Sequence, residues 1–69
     1  MEIDAIVEFR DHVYEKPFAP YYDEYRNHRF KVKALFYRNT HAELICITDP
    51  NLRIRELVHP NDLKEVSKS

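Results

Sequence analysis

None of the 69 residues is glycine. Since glycine alone takes a left-handed backbone without steric cost, each reversal needing positive φ falls to the short polar residues that tolerate it. Asn27, Asn39, Asn51 and Asn61 are the expected positions, and they divide the chain into short segments. The same absence removes any glycine-rich phosphate loop.

The segments between these punctuation marks alternate apolar and polar side chains, the pattern of half-buried strands. Ile3, Ala5, Val7 and Phe9 do so in IDAIVEFR and predict a first strand. DHVYEKPFAPYYDEYRNH follows, and Pro17 and Pro20 deny it a helix of useful length, leaving a long aromatic loop. RFKVKALFYR, residues 29–38, sets Phe30, Val32, Ala34 and Phe36 against Arg29, Lys31, Lys33 and Tyr37. Asn39-Thr40 turns the chain into HAELICITD, where Ala42, Leu44 and Cys46 alternate with His41 and Glu43. Ile45 and Ile47 on the other parity imply a strand covered on both sides. Its buried face stays open, because a loop of two or of three residues at 39–41 gives opposite answers. After the turn Asp49-Pro50-Asn51, RIRELVH predicts a fourth strand with Ile54 and Val58 inward, ended by Pro60. Asn61-Asp62-Leu63 makes a turn of 3₁₀ type, KEV a short last strand, and residues 67–69 a frayed tail. The expected fold is all-β: one small five-stranded barrel over residues 1–66, closed or half-closed to limit exposed edges.

A mass of 8.4 kDa allows one domain with a marginal core. Cys46 is the single cysteine, so no internal disulfide can form and stability must come from packing. No apolar run reaches the roughly 18 residues of a membrane span, and the acidic start MEIDAIVEF is unlike a signal peptide, so the expected location is cytoplasmic. A net charge of -1 argues against a strongly basic nucleic-acid binder. The charges are nevertheless segregated. Residues 1–25 carry seven acids against Arg10 and Lys16, and residues 26–38 carry Arg26, Arg29, Lys31, Lys33 and Arg38 with no acid. Two neighbouring segments neutralising each other across a sheet is the simplest account.

RELVHPNDLKEV, residues 55–66, has an aliphatic residue before a proline-bearing turn and another after it. With the order of strand, long aromatic loop, three-strand meander, turn and short strand, the chain resembles the SH3-like barrel family. The resemblance implies that Val58 and Leu63 are core positions on either side of a 3₁₀ turn. It also implies that His59 and Asp62 stand where signalling members present ligand-binding groups. The likeness is to the varied bacterial and phage members rather than to those signalling, PxxP-binding domains, since the chain has no tryptophan to open the second meander strand.

The chemistry of the side chains points to binding. His12, His28, His41 and His59 contain no short metal-ligand spacing, so neither metal nor cofactor is expected. Cys46 and His41 lie five apart on one strand and so face opposite ways, and Cys46 reads as an inert buried thiol. Asp23-Glu24 is a solvated pair with no apolar pocket to raise a pKa. No enzymatic role is expected. Tyr14, Phe18, Tyr21, Tyr22 and Tyr25 crowd a loop too long to be a mere connector. Phe18 and one or two tyrosines should pack inward, and the rest, with His59 and Asp62 beside them, form a contact surface for another protein of unspecified identity. The alternative is single-stranded RNA or DNA on the basic strand, through Arg29, Lys31 and Lys33, joined by Arg53 and Arg55, with Tyr37 stacking on bases.

Overall fold

A computed structural model describes residues 1–14 and 24–68, except the side chains of His12, Tyr14, Ser67 and Lys68. The expected contacts of Phe18, Tyr21 and Tyr22, and any made by the Tyr14 side chain, lie outside the described residues. The described residues are all-β, with four antiparallel strands in one sheet ordered β3-β2-β1-β4. These are β1 (Ala5–Phe9), β2 (Phe30–Phe36), β3 (His41–Cys46) and β4 (Leu63–Lys68). A single helical turn, α1 (Asp11–Tyr14), follows β1, and a 3₁₀ turn (Pro60–Asp62) precedes β4.

One face of the sheet holds the core. Ala5, Val7 and Phe9 of β1, Phe30 and Val32 of β2, and Ala42, Leu44 and Cys46 of β3 are buried together with Val13, Tyr25, Val58 and Leu63. At its centre the Phe9 ring stacks on Tyr25 at 5.5 Å and meets the edge of Phe30 at 5.4 Å. Tyr25 meets Phe30 at 5.9 Å, completing the triangle. Such rings combine large buried area with favourable edge and offset geometry.

The fourth expected strand is the main departure, and without it the described sheet is open and four-stranded rather than the expected five-stranded barrel. Over residues 53–59 only Val58 pairs, in an isolated bridge with Ala42. The bridge has two hydrogen bonds, Ala42 N–H to the Val58 carbonyl at 2.7 Å and Val58 N–H to the Ala42 carbonyl at 2.9 Å. Residues 49–52 form a tight four-residue turn, in which the Asn51 and Leu52 amides donate to the Asp49 side chain and carbonyl. After the turn, Leu52 and Ile54 pack on the core without joining a ladder. Five residue steps after Val58, Leu63 starts β4 on the opposite edge of the sheet. A flat sheet would put those edges about 19 Å apart, whereas a connection containing a 3₁₀ turn spans only about 12 Å. The sheet is therefore strongly curled.

Other departures have local causes. Asp4 takes φ 72, so β1 begins at Ala5 and Ile3 is exposed instead of continuing the alternation. The β2–β3 register shifts between Val32 and Ala34, making Lys33 an extra residue in β2. This bulge reverses the alternation after it: Leu35 packs on the core, Ala34 is only half-buried and Phe36 is 41% exposed. β2 also ends at Phe36, because Tyr37, Arg38 and Asn39 all have positive φ and the turn runs through Thr40. Asn27 is left-handed as expected, while Asn51 and Asn61 are not. α1 interrupts the anticipated loop and buries Val13. β4 extends past KEV, with Ser67 and Lys68 paired to Ile6 and Ala5.

Phe30 is fully buried at the meeting of β1, β2 and the Tyr25 segment. Phe30→Ala is expected to cost about 3–5 kcal/mol, most of the stability of a chain this size, and to appear in urea titration as loss of the folded baseline.

Candidate functional site

The sheet's outer face interleaves matched ion pairs with exposed apolar side chains. Arg29 and Lys31 of the basic stripe reach back to the acidic first strand and its approach. The Arg29 Nε lies 3.5 Å from Glu8, and the Lys31 Nζ 3.8 Å from Asp4. Lys33 lies 3.7 Å from Glu43 on β3, and Lys64 shares Glu8 at 3.9 Å. The segregated charges of the sequence thus face one another across neighbouring strands. Exposed pairs of this kind contribute little stability, but they leave few free cations along β2.

Among these pairs, Ile45 of β3 and Ile47 just after it are turned outward, 43% and 49% exposed. Ile45 stands opposite Lys31, and the Ile47 amide bonds the Arg29 carbonyl at 2.9 Å, so the isoleucines sit next to the aliphatic stems of paired bases. Phe36 pairs with His41 near the hairpin tip, and Tyr37, 72% exposed, meets the His41 ring edge-on at 5.0 Å. Thr40 locks this tip: its hydroxyl donates to the Tyr37 carbonyl at 2.7 Å and lies 2.8 Å from His41 Nδ1. With its proton committed to that carbonyl, the hydroxyl accepts from Nδ1.

The second feature is a groove of about 700 Å³ between β3 and residues 50–55. Ala42 directs its amide and carbonyl to Val58, and alternation along β3 directs those of Leu44 and Cys46 the same way, into the groove. Among the described residues, neither amide has a backbone acceptor on that side. Leu52 and Ile54 line the opposite wall, with Arg53 and Arg55 exposed on its rim. A smaller cleft of about 170 Å³ between β1 and residues 26–28 is lined by Glu8, Asp11, Arg26, His28 and Lys64, whose opposite charges balance.

The residues expected at a partner surface separate. Tyr25 is buried in the aromatic triangle, which makes it one of the inward-packing tyrosines and removes it from the surface. His59 is exposed and caps the 3₁₀ turn, its Nδ1 accepting from the Asn61 amide at 3.0 Å. Asp62 is half-buried, and its carbonyl accepts from the Arg10 amide at 2.9 Å, which joins the turn to the end of β1 just before α1. Of the basic set, Arg29, Lys31 and Lys33 carry carboxylate partners while Arg53 and Arg55 stand apart at the groove.

Cys46 is buried, and its closest polar neighbours are Thr48 Oγ1 at 3.5 Å and His28 Nδ1 at 3.9 Å rather than His41. Among the described residues, no group of three His, Cys, Asp or Glu side chains is placed to hold a metal ion. No described helix is long and apolar enough to cross a membrane. Comparison with protein-family models, curated proteins and solved structures finds no match to the chain.

Glu8→Gln removes the carboxylate charge shared by Arg29 and Lys64, and should lower stability by about 0.5–1 kcal/mol, with the difference shrinking as salt is added to the denaturation series. Cys46 should react with an aromatic disulfide reagent about a hundredfold or more slower in the native protein than in denaturant, as expected of a thiol shielded by packing.

Proposed function

We propose that this chain is a non-catalytic protein-interaction module built as an SH3-like roll. The supports for the roll are the strand order and the short 3₁₀ connection between its outermost paired segments, with Val58 and Leu63 buried on either side. The observation that carries the interaction role is the exposed apolar row on the outer face. Ile45, Ile47, Phe36 and Tyr37 leave aliphatic and aromatic surface in water, interleaved with cations already matched by acids. Solvent-facing strand positions in a domain with so few core residues are ordinarily polar. A partner that dehydrates this row gains apolar burial without having to desolvate an unpaired charge.

The aromatic loop and the His59–Asp62 turn make up the second contact surface of this reading. Its support is the Arg10–Asp62 hydrogen bond, which ties the beginning of that loop to the turn. The module works in the cytoplasm on a protein partner, and no membrane is involved.

Selection from a random peptide library on the immobilised protein tests the reading. Peptides should be enriched over a blank surface, and Ile45→Ser with Ile47→Ser should weaken them about tenfold or more while moving the urea midpoint little. Enrichment that survives this change but is lost on Tyr21→Ser with Tyr22→Ser would transfer the contact to the loop. Absence of any enriched peptide would overturn the interaction role.

A further inference from the structure

We infer that the groove between β3 and residues 50–55 takes an acidic peptide in extended conformation, added as a strand to the β3 edge; this rests on the interaction role proposed above. Three properties of the groove converge on that ligand.

The first is the unladdered edge. Leu44 and Cys46 aim amide and carbonyl groups into the groove, and residues 53–57 pass without bonding to them. An extended main chain satisfies such a row with its own alternating donors and acceptors. The second is the apolar lining. Leu52 and Ile54, half-buried against the core, offer aliphatic surface to alternate side chains of the incoming strand, and Ile45 flanks the same edge on the outer face.

The third is charge. Lys33 and Glu43 cancel across 3.7 Å, whereas Arg53 and Arg55 form no ion pair among the described residues. The groove is left with an excess of positive charge on one rim. Two arginines spaced i, i+2 match two carboxylates spaced i, i+2 on an extended peptide, both repeats being about 6.5–7 Å. Guanidinium forks bind carboxylates with good geometry, and Asp or Glu at alternate positions leaves the intervening side chains for the aliphatic lining. A nucleic-acid strand would find the charge but not the stacking it needs, because among the described residues no aromatic ring lines the groove and Tyr37 is held against His41 at the hairpin tip.

Fluorescence anisotropy and amide chemical-shift mapping test the inference with a short labelled peptide alternating glutamate and valine, its glutamine counterpart and an oligothymidylate. The glutamate peptide should bind about tenfold or more tightly than the glutamine one, with shifts centred on residues 43–46 and 52–56. Arg53→Gln with Arg55→Gln should erase that difference, and Ile45→Glu should oppose binding by a separate route, both with unchanged amide spectra away from the groove. Equal binding of the two peptides would overturn the charge assignment, and tighter binding of the oligonucleotide would replace the peptide with nucleic acid. If library-derived peptides bind but shift only Ile47, Phe36 and Tyr37, the groove inference fails while the interaction role stands. If neither they nor the designed peptides bind, both fall.

Discussion

Two hydrogen bonds between Ala42 and Val58 hold the architecture in its curled form. They attach the chain to one edge of the sheet immediately before the turn that begins the other edge. That attachment brings the turn to the sheet just before β4 takes up its own ladder with β1, and it sets Val58 and Leu63 side by side in the core. The attachment is also minimal. A single bridge fixes the position of the turn but leaves the neighbouring edge of β3 without a ladder, so the constraint that shapes the core is also the origin of the groove.

Much of this was legible in the sequence. The β-class, the approximate positions of three meander and edge strands, and the aliphatic pair around the proline turn follow from alternation and from proline chemistry. What failed to appear is equally physical. The Lys33 bulge reverses side-chain parity within an otherwise regular pattern, and nothing in RFKVKALFYR distinguishes an inserted residue from a paired one. Leu35 falls outside that alternation and is a packed residue, while Phe36 continues it and is half in water. The fourth strand was expected over RIRELVH with Ile54 and Val58 inward; the structure keeps Ile54 half-buried and Val58 buried, but only Val58 pairs with the sheet. Periodicity reports which side chains are buried and carries no information on whether the backbone is paired.

The candidate surface was harder to read. Ile45 and Ile47 carry the same signal whether a second layer covers them or solvent does, and covering was the natural inference for a central strand. The strand is an edge over most of its length, so their exposure depends on a pairing that periodicity does not encode. The basic stripe was easier, because an acidic first strand next to a basic second one has an obvious solution. Salt bridges from Asp4 and Glu8 realise it, and in doing so remove Arg29 and Lys31 from the pool of unmatched cations.

Three successive left-handed residues without a glycine, Tyr37, Arg38 and Asn39, form the β2–β3 tip. Each non-glycine residue in this region costs roughly 1–2 kcal/mol, so the tip is uphill when isolated. Such a corner makes a poor starting point for self-assembly. Its backbone cost is carried by the two strands it joins and by the Thr40 hydroxyl clasped to the Tyr37 carbonyl, so the corner borrows its shape from the body of the hairpin.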